Sequence, residues 1–472
     1  MLQIVDQSPT FRGRLSRRVW LQLGLAGGAG LLNPRRSVRA EAQAAGFGRA
    51  KTVLFVVTGG GQSQLETWDP KPEAPSQVRG EFGSIETAIP GVRIGEHLPK
   101  MAKLLDRCAL IRTMSHEDLD HGSAVYLTLT GFYHRRRSGN PPPAPIDRPT
   151  LGALFENTRH RTDFVRSAVH LNGPILVPTE PSPGQNAGFL GPIAEPLQIG
   201  DVTAAPVAVP GLESFADLPE IRLTSRQTLL SGLDRFLREA ETRQLADQSG
   251  AYRQAFDLLH RPACRRAFEL ESEPDNVRDQ YGRHRTGQAC LLARRLVEAG
   301  APWITLFWNH SVRGQDDSPN ETDLYGWDTH NDIFYALKNH LLPRFDQSFS
   351  TLLSDLADRG LLDTTLVVCA GEFGRAPLVA LEPNFAGSSP GRKHWASCYS
   401  VLAAGAGVHP GLVVGRSDRR GAYPESRGFG PWDLAATMFS AAGIAPESTL
   451  HDGLQRPFPL CEGAPITELY TG

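Results

Sequence analysis

Apolar residues gather in short, β-branched runs at Val53–Thr58, Ala109–Thr113, Trp303–Trp308, Thr365–Ala370 and Ser400–Ala404. Runs without polar alternation predict strands buried on both faces. Between them the apolar spacing changes to three and four. That period predicts helices over His97–Arg107, Ser225–His260, Thr286–Ala299, Asp332–Arg359 and Asp433–Ala442, the last ended by Gly443. Strands alternating with helices predict an α/β fold, a doubly wound and mostly parallel sheet covered on both sides. The stretch from His134 to about Glu220 breaks this rhythm with Pro141-Pro142-Pro143 and many further Pro and Gly. It reads as an irregular excursion from one domain spanning about residues 48–465.

Composition narrows the picture only a little. Of 472 residues, 40% are hydrophobic and 21% charged, which excludes a disordered chain. The formal net charge of −2 gives no basic surplus for nucleic acid. No apolar run approaches the ~18–20 residues that span a bilayer. Six cysteines without a CxxC pair are too sparse for a disulfide scaffold.

The first forty residues read as an address. Arg17-Arg18 precede apolar positions, Val19 to Leu32 is uncharged and rich in Gly and Ala, and Val38-Arg39-Ala40 offers a small-residue cleavage site. This is the pattern of a twin-arginine export signal, with the twin-arginine export machinery as partner and a periplasmic or extracellular destination. Removing residues 1–40 takes away seven arginines and one aspartate, leaving the rest mildly acidic.

In α/β sheets ligands bind beyond the carboxyl ends of the strands, so the segments that follow each predicted strand carry the candidate chemistry. After the first comes Gly59-Gly60-Gly61-Gln62-Ser63-Gln64-Leu65-Glu66, where Glu66 is a candidate oxygen ligand for a hard cation. After the second, Ser115 to Ser123 holds His116, Glu117, Asp118, Asp120 and His121 at the start of a helix. Its free N–H groups suit an anion, and His121 and Ser123 are candidates to attack or bind a phosphate or sulfate. Beyond the third lie Asp328 and His330, a carboxylate and an imidazole two apart that suit zinc and similar ions. The fourth is followed by Glu372 and Arg375, a ligand candidate and a guanidinium suited to clamping an anion. Before the fifth stand Arg392-Lys393-His394, with His394 a further ligand candidate.

Taken together, several stretches resemble the exported domain of unknown function 1501 over about residues 50–450. They are Gly60 through Asp69-Pro70-Lys71-Pro72, Glu96-His97-Leu98-Pro99, His121 to Leu129-Thr130-Gly131, Gly326-Trp327-Asp328-Thr329-His330, Gly371-Glu372-Phe373-Gly374-Arg375 and Lys393-His394-Trp395. That family is similar to the alkaline phosphatase and sulfatase superfamily. The resemblance implies a metal site at the strand ends. It also implies that His121 stands where sulfatases carry a nucleophile at the head of the helix. Two positions depart from the family pattern: Gln64 replaces a His, and Lys393 replaces an Asp.

The expectation is therefore a metal-dependent hydrolase of phosphate or sulfate esters. Asp328, His330, Glu372, His394 and Glu66 would hold a divalent ion (zinc, calcium or manganese), Arg375 would hold the anion, and His121 or Ser123 would serve catalysis. An anionic ester or sulfated glycan is the expected substrate. The competing expectation, motivated by Gln64 and Lys393, is a non-catalytic relative acting as an exported binding or scaffold protein.

Overall fold

A computed structural model describes residues 45–158, 167–209, 262–314 and 325–471. Eight strands form its main sheet: β1 (Thr52–Val57), β2 (Cys108–Met114), β3 (Ala168–Leu171), β4 (Leu197–Ile199), β5 (Trp303–Phe307), β6 (Thr365–Ala370), β7 (Tyr399–Ala404) and β8 (Leu412–Val414). Their order is β8-β2-β7-β6-β1-β5-β3-β4. Every neighbouring pair is parallel except those made by β7, which runs against both β2 and β6. The sheet is thus mixed and mostly parallel, with β1 near its middle.

The central strands explain why their sequences are continuously apolar. In β1, Leu54 and Val56 join one hydrophobic core while Val53, Phe55 and Val57 join another on the opposite face. Both faces are closed by helices, so neither set of side chains meets water. The first core takes Met101 and Ala102 of α1 (Pro99–Leu104), with most of the buried faces of α4 (Arg285–Glu298) and α5 (Leu342–Asp358). The second takes Val125 and Leu129 of α2 (His121–Thr130), Leu154 and Phe155 of α3 (Leu151–Thr158), and Leu434, Met438 and Phe439 of α6 (Pro431–Ala441). This is a doubly wound α/β fold. Among the described residues, no helix is long and apolar enough to cross a membrane.

Two expectations change. The stretch 134–220 is not simply irregular, because its described part supplies α3 and the strands β3 and β4 that extend the sheet. These strands are only four and three residues long, and the Pro and Gly around them mask so short a pattern. The helix expected over Asp332–Arg359 is broken into a turn at Ile333–Ala336, a π-helical stretch at Leu337–Leu341, and then α5. Pro343, in the first turn of α5, explains the break: it has no N–H to give to the preceding turn and its ring crowds that turn's carbonyl. The helix expected over Ser225–His260 and the export signal at 1–40 lie outside the described residues.

Candidate metal centre

Strands β1, β2, β5 and β6 all run in one direction, so their carboxyl ends share one edge of the sheet. The reversed strand β7 begins at that same edge. Five segments therefore meet there. The Gly59–Gly61 turn leaves β1, and Gly60 adopts φ +110°. A β-carbon on Gly60 would lie 2.4 Å from the backbone nitrogen of Trp327, so glycine is what lets the loop carrying Asp328 close over β1. A two-residue antiparallel ladder pairs His394 with Arg375 and Trp395 with Gly374. It seats His394 beside the residues that follow β6.

One carboxylate oxygen stands at the centre. Asp328 Oδ1 lies 3.1 Å from His121 Nε2, 3.1 Å from His394 Nε2 and 3.2 Å from His330 Nε2, and it accepts a hydrogen bond from Arg375 at 2.8 Å. His121 Nε2 is buried and, despite its closeness to Asp328, is out of line for a hydrogen bond. His121, Asp328 and His394 each offer a ligand atom, all within 4.8 Å of one another. Two imidazoles and a carboxylate are a normal protein set for zinc and similar ions. The outer nitrogens of both histidines are anchored, as metal-bound imidazoles usually are. His121 Nδ1 meets Glu372 Oε1 at 2.6 Å, and His394 Nδ1 meets the Leu119 carbonyl at 2.5 Å. The donor set fits a divalent ion.

Charge is distributed unevenly among the imidazoles. Burial opposes a proton on His121, yet Asp328 and Glu372 outweigh it and lift its pKa to about 9. His394 goes the other way, to about 3, through burial first and then the neighbouring His121 charge. Burial also lowers His330, partly countered by Asp328. Asp328 stays ionised: burial works against its charge, but His121 and Arg375 hold its pKa well below the usual carboxylate range.

Glu372 stands at the end of β6 with its carboxylate fully buried. It accepts the Gly60 N–H at 2.8 and 3.1 Å as well as bonding His121. It holds His121 rather than facing the common point itself. His330 is also adjacent, with its Nε2 2.8 Å from that of His394.

The remaining expected residues sit elsewhere. Glu66 is engaged by Arg392, whose Nε and terminal nitrogen donate to it at 3.0 and 2.6 Å, and by the Ser63 hydroxyl. A buried ion pair takes up the oxygen that the sequence offered to a cation. Arg375 is wholly buried, and its guanidinium donates to Gly60, Gly61, Trp327 and Arg392 carbonyls and to Asp328. It clamps the loops of the site together instead of facing an incoming anion. The Ser123 hydroxyl turns to Asp118 at 2.7 Å. Gln64 bridges backbone groups, donating to the Arg375 and Gly421 carbonyls and accepting the Arg375 N–H. Its difference from a histidine therefore falls in the frame of the site, not in the group around Asp328. Lys393 is exposed and pairs with Glu382 at 3.1 Å.

Three further residues take part. Leu119 acts through its backbone carbonyl, which no side-chain pattern reveals. His116 donates from Nε2 to the Glu372 carbonyl at 2.6 Å, and its burial lowers its pKa. Phe385 stacks on His330 with ring centroids 3.7 Å apart and planes 6° from parallel.

No curated protein matches the chain. Among solved structures, the PsFucS1 sulfatase from Pseudoalteromonas sp. is 13% identical, with a TM-score of 0.42 over 97% of this chain and 77% of that one. The phosphonate monoester hydrolase SpPMH from Silicibacter pomeroyi is 13% identical, with a TM-score of 0.40 over 89% and 76%. The lipoteichoic acid synthase LtaP from Listeria monocytogenes is 12% identical, with a TM-score of 0.34 over 88% and 78%. These are faint likenesses, and the fold is assigned from the strand order itself. The family described as "Protein of unknown function (DUF1501)" matches residues 50–470, and the chain belongs to that family.

Proposed function

We propose that this chain is a metal-dependent hydrolase of phosphate or sulfate esters. The observation that carries the proposal is the convergence of His121, His394 and Asp328 on one point at the carboxyl edge of the sheet. Asp328 and His394 each keep 17% of the side chain exposed while His121 is buried, so the cluster lies at the border between core and surface. Three protein ligands leave a coordination position for water or substrate, whereas structural zinc sites are usually filled by four.

His121, Asp328 and His394 would hold the ion. The nitrogen donors favour zinc or manganese over calcium, which prefers an all-oxygen shell. A divalent ion held there would polarise an ester oxygen or acidify a bound water. Glu372 keeps His121 oriented through Nδ1, and the Leu119 carbonyl does the same for His394. His330 is left beside the ligand set with its Nδ1 unpartnered and its Nε2 available to carry a proton. The ester class is drawn from the family resemblance, and a sulfated glycan is one member of it.

A second reading has its own support. Arg375 spends its donors on the protein, Lys393 pairs with Glu382, and the Ser123 hydroxyl bonds Asp118. That pattern suits a relative that binds metal or an anion without turning it over. Protein purified from an exporting host should contain about one divalent ion per chain by elemental analysis. A screen of phosphate and sulfate esters with added zinc, manganese or calcium then separates the two readings. Turnover abolished by His330→Ala supports the hydrolase; metal content without turnover supports the binding protein.

The same reading includes export by the twin-arginine route, supported by Arg17-Arg18 and the uncharged run after them. Cell fractionation of the wild type against a double Arg17→Lys, Arg18→Lys variant tests it. Equal distribution of the two would end that part of the proposal.

A further inference from the structure

The rim of the site is apolar, although its floor is charged. Phe385 is 43% exposed and Leu119 45%. Phe385 stacks on His330, and Leu119 is tied to His394 through its backbone carbonyl. Leu378 and Leu381, on the segment that leads to Phe385, are 58% and 50% exposed. An exposed Phe on a loop would normally be free to turn away or bury itself.

Here it is held in place. Asn331, next in the chain to His330, is fully buried. It donates to the carbonyls of Glu382, Phe385 and Ala386 at 2.9–3.1 Å and accepts the Glu382 N–H at 2.9 Å. Asp332, the next residue, accepts from the Ser388 and Ser389 N–H groups and from the Ser389 hydroxyl. It does so from a left-handed backbone, φ +51°. Gly387 allows the approach, because a β-carbon there would come within 2.5 Å of Asp332 Oδ2. Two consecutive side chains following a site histidine thus fix a second loop so that one aromatic ring stands over that histidine, partly in water.

We propose that Phe385 is a specificity-determining residue, forming one wall of the site and selecting anions bonded directly to a flat, C–H-rich ring. The His330 ring is 4.5 Å from that of His394, centroid to centroid. Phe385 lies flat against His330, so a group attached to an anion bound beside His330 would meet the open edge or the outer face of the Phe385 ring. Ring-on-ring contact of this kind favours a planar substituent over a methyl group. The inference rests on the metal-site reading above.

Zinc uptake by the full chain is measured first, by titration calorimetry. Phenylphosphonate and methylphosphonate are then titrated into protein at saturating zinc. The wild type should bind phenylphosphonate about tenfold more tightly. Phe385→Ala should erase that preference, and Phe385→Tyr should retain it. Equal affinities in the wild type, or a preference that survives Phe385→Ala, would overturn the wall and leave the metal site standing. Protein that takes up no zinc would remove the functional reading, and this inference with it.

Discussion

His330 and His394 face each other through their Nε2 atoms at 2.8 Å, and both atoms lie within 3.2 Å of one oxygen of Asp328. Two neutral imidazoles cannot both present lone pairs at that separation. Either a proton sits between them or a cation takes its place. The His394 Nδ1 contact with the Leu119 carbonyl keeps a proton on Nδ1, so in the neutral ring the Nε2 lone pair faces both the Asp328 oxygen and His330 Nε2, a crowding that a cation or a proton on His330 would relieve.

The Asp328 carboxylate should be the residue the metal can least spare. Asp328→Asn keeps the shape but removes the charge that gathers three imidazoles and Arg375. Zinc affinity measured by competition with a chromogenic chelator should fall by at least about a hundredfold, beyond what losing an outer partner of a ligand usually costs. Affinity within a few-fold of the wild type would mean that the ion, if any, binds elsewhere.

The raised pKa of His121 makes both metal binding and stability depend on pH. At neutral pH its imidazole is protonated, so a metal must displace that proton. Affinity should climb about tenfold per pH unit from 7 and flatten near 9. In the metal-free protein the sign for stability is opposite. The folded state binds the proton more tightly than the unfolded chain does. The stabilisation is therefore complete below about pH 6.5 and fades as pH rises through about 9. Its size is on the order of 3 kcal/mol. Urea denaturation of metal-free protein at pH 6 and pH 10 reads it, and His121→Gln should flatten the difference.

Glu372 acts through His121 and should behave accordingly. Glu372→Gln retains an oxygen for the Gly60 N–H but no longer presents a charged acceptor to His121 Nδ1. Metal affinity is expected to drop ten- to a hundredfold while the fold persists. A variant with wild-type affinity and a wild-type pH profile would show that the His121–Glu372 contact is incidental.

Arg375 offers the clearest contrast with the sequence expectation. As an anion holder, its loss would weaken substrate binding and spare the fold. As the clamp observed here, Arg375→Met leaves four carbonyls without their donor and the Asp328 charge partly uncompensated. Breaking such a buried network costs about 3–5 kcal/mol. Equilibrium unfolding should register a loss of that order, and an undiminished midpoint would return Arg375 to the substrate.

The frame of the molecule was readable because buried parallel strands must be apolar throughout. β1, β5 and β6 announce themselves, and looking just beyond strands finds Asp328, His330 and Glu372. Side-chain partners were not readable in the same way. Glu66 and Arg375 carry the right chemistry, but residue type does not tell whether a carboxylate faces a cation or a buried guanidinium 326 positions away. Strands β3 and β4 were too short to stand out among Pro and Gly. The Phe385 wall depends on hydrogen bonds that Asn331 and Asp332 make with groups far along the chain, and the setting of His394 depends on a carbonyl at Leu119. None of these leaves a periodic trace.

The reversed direction of β7 has an evolutionary corollary. Because β6 and β7 are antiparallel neighbours, the chain between them leaves and re-enters the sheet at one edge. The excursion from Gly371 to Cys398 carries Glu372 near its start and His394 near its end. Insertions or losses between Ala376 and Gly391 can accumulate without displacing a rung of the ladder. Diversification among relatives thus has a natural address: a hairpin excursion that can be rewritten while Glu372 and His394, at its two feet, stay put.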